Sequence, residues 1–315
     1  MNISPLIKRA ARGKNGSEHL TQSEAKTVFA QLLSPDADEL QLGAFLIAQR
    51  MKGETSAELA GFVEAARQKI ACFGSVAAPQ AAVDLPCYAG KRRAGLAYIA
   101  AALKARDTGI PVLVHGVGLI EGRITAWQVL QQAGVKRAET LSEAAEILAV
   151  EGIAYIDLSD FCPDLFRIYN LRSRLGVRSF ANTVARLLNP LQCHGQLNGF
   201  FHTPYADYMA QANQLLGQQR SLIFMGAEGE PELYADRQKL IVKQQGESMK
   251  RVAFEEAGLE PYPREVMDSD QLFAQSMEIL AGSMSDREKI VMLRMSQAFD
   301  WASTGNEMDD WREVG

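Results

Sequence analysis

The chain has 315 residues, 47% of them hydrophobic and 23% charged, with a formal net charge of -5. That balance excludes a disordered chain and suffices for a sizeable core, as one large domain or two moderate ones. The acidic total gives no support to a nucleic-acid partner unless charge is segregated onto one face, and no apolar run reaches the roughly 18 residues of a membrane span.

The first seventy or so residues read as helices only. Thr21-Gln22-Ser23-Glu24 is a capping box, in which the Thr hydroxyl and the Glu carboxylate satisfy each other's backbone amides. Behind it, Ala25, Val28, Phe29 and Leu32 recur at helical spacing. A second helix fits residues 40–51 and ends at Gly53. A second capping box, Thr55-Ser56-Ala57-Glu58, opens the helix carrying Leu59, Phe62, Val63 and Ala66. After Phe73 the pattern changes to strands alternating with helices. Strands are predicted over residues 81–85, 110–114, 154–158, 221–225, 240–243 and 249–254, and helices over 125–133 and 142–150. The expected fold is α/β: a small N-terminal helical domain on a larger α/β domain with a mostly parallel central sheet. The division falls at residues 1–72 and 73–315.

Residues 1–12 hold no apolar core of signal-peptide length. The four cysteines, Cys72, Cys87, Cys162 and Cys193, form no C-x-x-C pair, which points to reduced thiols in a cytoplasmic protein rather than a disulfide frame or zinc site. No membrane partner is expected.

In an open α/β sheet, ligands bind at the carboxyl ends of the strands and anions favour the N-termini of the following helices. Three turns are therefore of interest. The first is Cys87-Tyr88-Ala89-Gly90-Lys91-Arg92-Arg93, which is either a solvated basic turn or a cationic cluster suited to phosphodiester oxygens. The second is Val114-His115-Gly116-Val117-Gly118, where His115 is either a packed residue or a functional one. The third lies in residues 167–186, which hold five arginines and no Asp or Glu. On a continuous helix Arg167 and Arg174 would share a face, and the segment is either a surface helix or an anion-binding one. Glu228-Gly229-Glu230-Pro231-Glu232 is either an acidic turn or a seat for a hard cation. Cys193-His194 has no acid nearby to support a nucleophile.

Arg172-Ser173-Arg174-Leu175-Gly176-Val177-Arg178-Ser179-Phe180-Ala181-Asn182, closing with Leu188-Asn189-Pro190, resembles the R-x-x-L-G-x-R-T-x-F-N…L-x-N-P stretch of anthranilate phosphoribosyltransferases, members of glycosyltransferase family 3. Gly53-Glu54-Thr55 resembles that family's helical-domain signature. The resemblance spans nearly the whole chain and implies the family's phosphorylase-like fold, with helices within 162–190 completing the helical domain and a homodimer formed through it. The catalytic motifs depart from the pattern. Cys87-Tyr88-Ala89-Gly90-Lys91 stands where the family has G-T-G-G-D, Val114-His115-Gly116-Val117-Gly118 where it has K-H-G-N-R, and Pro231-Glu232 where it has an Asp-Glu pair for magnesium.

An intact frame with degenerate motifs resembles the YbiB-like branch of the family, which implies a nucleic-acid-binding protein with little sequence preference. On that reading Lys91, Arg92, Arg93, His115, Arg172, Arg174 and Arg178 meet phosphates or other anions and Tyr88 stacks on a base, with no catalytic residue, cofactor or metal. The alternative is a phosphoribosyltransferase or related glycosyltransferase with an altered substrate, in which His115, Arg172 and Glu232 survive and magnesium is needed.

Overall fold

A computed structural model describes residues 3–13, 16–201, 205–255, 257–307 and 311–314. Four helices lead: α1 (Ser4–Ala10), α2 (Gln22–Leu32), α3 (Glu39–Lys52) and α4 (Ser56–Arg67). Both capping boxes form, Thr21 with Glu24 and Thr55 with Glu58. Gly53 ends α3 at φ 83°, a conformation that costs glycine little. The apolar stripes of α2, α3 and α4 meet around Phe29, Phe45 and Phe62.

The chain then alternates through β1 (Val83–Cys87), α5 (Ala97–Asp107), β2 (Val112–Gly116), α6 (Ala126–Gln132), β3 (Arg137–Ala138), α7 (Leu141–Glu151) and β4 (Ile153–Asp157). Four short helices follow: α8 (Leu158–Phe161), α9 (Pro163–Tyr169), α10 (Arg172–Leu175) and α11 (Ala181–Arg186). The remainder is β5 (Gly195–Phe200), α12 (Tyr205–Leu215), β6 (Arg220–Met225), β7 (Ile241–Gln245), β8 (Ser248–Phe254), α13 (Ser269–Leu280), α14 (Asp286–Thr304) and β9 (Trp311–Glu313). The described strands form one sheet in the order β3-β4-β2-β1-β5-β6-β7-β8-β9. It is parallel from β3 to β6 and antiparallel from β6 to β9. One hydrophobic cluster joins the helical domain to one face of the sheet, and α5, α13 and α14 bury the other face. The architecture is the expected one, a helical domain on a mostly parallel α/β domain.

Several boundaries differ from those the sequence suggests. The strands expected over 81–85 and 110–114 lie two residues later, because Cys87 pairs with Gly116 at the end of the β1–β2 ladder and Ala81 is left-handed at φ 63°. β5 lacks an apolar alternation altogether. Its polar Gln196 and Asn198 are buried and donate to the carbonyl oxygen of Arg186 at 3.1 and 2.8 Å.

Arg167 and Arg174 do not lie on one continuous helix, so the condition for their sharing a face is not met. Helix α9 ends at Tyr169 and α10 at Leu175, where Gly176 turns left-handed at φ 74°. Arg167 faces the other way, its Nη2 donating to the carbonyls of Leu32, Leu33 and Ser34 at the end of α2. Helix α11 enters the helical domain instead. Phe180, its N-cap, stacks on Phe62 at 4.2 Å and meets Phe29 and Phe45 edge-on.

Candidate anion-binding site

The loop after β1 turns over Gly90, left-handed at φ 61°, where a Cβ would lie 2.9 Å from that of Arg123. Lys91 pairs with Ile124 through two backbone hydrogen bonds of 2.9 and 2.8 Å, which fixes the loop against the start of α6. This arrangement aims the amides of residues 89, 90, 92 and 93 toward the turn after β6. Two glutamates of that turn receive them, and a third holds Lys91. Glu230 Oε1 accepts from Ala89 N, at 2.6 Å, and from Gly90 N. Glu228 accepts from the amides of Arg92 and Arg93 at 3.0 to 3.2 Å. Glu232 pairs with Lys91 Nζ at 2.5 Å and accepts from Tyr98 N in the first turn of α5 at 3.2 Å.

Lys91 is therefore buried and spent within the chain, its ammonium also donating to Gly95 O at 2.6 Å. Tyr88 and His115 are buried too, the Tyr88 hydroxyl 2.7 Å from His115 Nδ1 and His115 Nε2 3.2 Å from Asp84. Burial pushes the Tyr88 phenol well above its ordinary range. None of the three lies on a solvent face where a base or phosphate could reach it, which corrects the reading of these residues as contacts. At the second turn a carboxylate again occupies the amide: Gly118 N donates to Asp157 Oδ2 at 2.6 Å.

The arginines behave differently. Arg172 is exposed, and Arg92 and Arg178 are half-buried. Among the described residues these three form no ion pair. Arg178 is pushed down to about 10 by burial and by the like charges of Arg172 and Arg186. Burial, opposed by Glu228 and reinforced by Arg92, lowers Arg123 as well. Arg123, Arg172 and Arg186 therefore each lie close enough to Arg178 to repel it, and Arg92 and Arg172 each act likewise on Arg123. Arg174 pairs with Glu39 at 3.2 Å across two exposed side chains, a contact worth little in water. Arg93 is half-buried, and its Nε has no partner among the described residues. Arg123 carries no motif, and Arg186 stood out only as the last of the five arginines in residues 167–186.

Arg178 and Arg186 also line a small cleft of about 70 Å³ with Arg50, Glu54, Asn182 and Tyr205, between the helical domain and the sheet. Burial raises the Glu54 carboxyl, which accepts from the Tyr205 hydroxyl at 3.4 Å.

Glu232 does not suit magnesium as it stands. Its carboxylate is buried against an ammonium, and no group of three or more potential ligands gathers among the described residues.

Residues 4–70 match the helical bundle domain of the glycosyl transferase family, and residues 94–313 match its a/b domain. The chain belongs to this family. The second match begins just past Arg93, leaving the basic loop outside it. The chain is similar to the uncharacterized protein YbiB of Escherichia coli (strain K12), with 30% identity over 242 residues, 76% of this chain and 74% of the relative. It is also similar to the anthranilate phosphoribosyltransferase of Erythrobacter litoralis (strain HTCC2594), with 32% identity over 216 residues, 68% of this chain and 64% of that enzyme. Among solved structures, anthranilate phosphoribosyltransferase from Thermus thermophilus shares the fold at a TM-score of 0.79 and 23% identity, covering 95% of this chain and 89% of that one. No described helix is long and apolar enough to cross a membrane.

Proposed function

We propose that the arginine side of this glycosyl transferase scaffold binds nucleic acid through its phosphate backbone, with little regard to sequence. The observation that carries the reading is that Arg92, Arg172 and Arg178 form no ion pairs among the described residues, while burial and the like charges of Arg172 and Arg186 push Arg178 down. Guanidiniums left in that state are relieved by phosphate oxygens, and Arg174 can join them by releasing its weak pair with Glu39. A homodimer would place two such surfaces on one particle and raise avidity. Exposed Leu40, Ile47 and Met51, which recur along α3, support association through the helical domain. Free thiols at Cys72, Cys87, Cys162 and Cys193 support a cytoplasmic setting.

Phosphoribosyl transfer is the second reading. The relatives support it more directly, because several are named anthranilate phosphoribosyltransferases. The geometry favours the first reading. The amides of the β1 loop are held by Glu228 and Glu230, and Glu232 is held by Lys91, so neither a phosphate group nor a metal has donors ready. Calorimetric titration separates the two. Binding of a mixed-sequence oligonucleotide at low salt, with no heat from phosphoribosyl pyrophosphate and magnesium, is the expected result. Saturable binding of the sugar phosphate with none of the oligonucleotide would overturn the proposal.

A further inference from the structure

Four backbone amides in a run of five residues, at 89, 90, 92 and 93, make the kind of concave donor surface that holds anions. Here the anions are the chain's own side chains. Glu230 is buried, and among the described residues it forms no salt bridge. Its carboxylate rests on two amides and the Tyr98 hydroxyl, 3.2 Å away. Arg186 is the charged group that most offsets its burial, and Arg186 Nε is itself buried without a partner among the described residues.

The backbone is shaped to deliver these side chains. Glu228 adopts a left-handed φ of 57°, unusual for a residue with a side chain, and Gly229 follows at 91°. Gly226 and Gly199 flank the Glu230 peptide, where a Cβ would fall 1.7 and 2.4 Å from its carbonyl oxygen. Only residues without a side chain let the turn come this close. Strain and bare backbone together indicate a turn held in place by what its carboxylates bind.

We propose that residues 228–232 form a built-in pseudo-ligand, seating two carboxylates on a phosphate-binding nest and keeping free phosphate anions out of it. The two carboxylates occupy two neighbouring pairs of amides, Ala89 with Gly90 and Arg92 with Arg93. A ligand with two linked phosphoryl groups matches that spacing, so inorganic pyrophosphate is the appropriate probe. The nest shares Arg92 and Arg93 with the basic loop through their backbone amides alone, and nucleic-acid binding through the arginine side chains neither requires nor forbids it.

The test compares three full-length chains: unaltered, Glu230→Gln, and the double variant Glu228→Ala/Glu230→Ala. Glutamine keeps a carbonyl oxygen facing the loop amides and leaves the nest filled, whereas the alanines empty it. Calorimetry should show the double variant binding pyrophosphate at least about ten-fold more tightly than either of the others. Equal affinity in all three, with the double variant folded by circular dichroism, would overturn the proposal. If the double variant does not fold, hydrogen exchange on the unaltered chain decides. The amides of residues 89, 90, 92 and 93 should stay protected and unchanged when pyrophosphate is added. A change in their protection would mean that the anion reaches the nest, and the idea fails.

Discussion

Replacing Arg172 and Arg178 by alanine together removes two of the cations expected to meet phosphate while leaving the core intact, since Arg172 is exposed and Arg178 half-buried. If Arg92, Arg172, Arg174 and Arg178 each neutralise one phosphate of a single strand, the slope of log affinity against log salt is about -2.8 per chain. Between about 50 and about 200 mM salt the unaltered chain then loses about 50-fold in affinity, and the double variant only about 7-fold. Fluorescence anisotropy with a labelled oligonucleotide of mixed sequence measures both slopes. A second, unrelated oligonucleotide should give the same pair of values, because phosphate contacts carry no base information. An unchanged slope in the double variant would refute the assignment of these arginines, and a flat response in the unaltered chain would refute electrostatic binding altogether.

Three further outcomes are expected. Phe180→Ala should destabilise the chain by about 3–5 kcal/mol in urea unfolding, because its ring touches Phe29, Phe45 and Phe62 in a closed core. Gly199→Ala should cost about 1–3 kcal/mol by overpacking against the Glu230 backbone, seen as a lower urea midpoint without a change in slope. Glu54→Gln should gain stability relative to the unaltered chain as pH rises from the ordinary carboxylate range toward neutrality. Burial raises the Glu54 carboxyl in the folded state, so its contribution is full at low pH and is lost as pH climbs through the raised value. Thermal melts of both chains across that range check the sign.

The helical domain was legible because its signals are local. Two capping boxes marked where α2 and α4 begin, and a 3.6-residue apolar repeat marked the faces they bury. The strands that pair in the centre of the sheet were found but placed early, since their ends depend on partners such as Gly116 against Cys87. β5 was not found, because what makes it a strand is hydrogen bonding of Gln196 and Asn198 within the fold rather than an apolar pattern. The site divides similarly. A run of basic residues marked the β1 loop, but composition could not show Lys91 turned inward onto Glu232, a residue far along the chain. Arg186 and Arg123 reach the cluster through tertiary packing alone. Glu228 and Glu230 read as an acidic turn or a seat for a hard cation, and their bonds to the β1 loop appear only when the two loops face each other across the sheet end.

The margins of the sheet limit how copies of this protein can meet. β3, at one edge, has two residues and β9, at the other, has three. A strand from another molecule would find few free backbone groups there and could not extend the ladder far. Helix faces are left as the route to assembly, and α3 offers one with its apolar side chains outward. Self-association would then be set by side-chain complementarity, which saturates at a closed pair, rather than by open-ended backbone pairing, which leads to fibres.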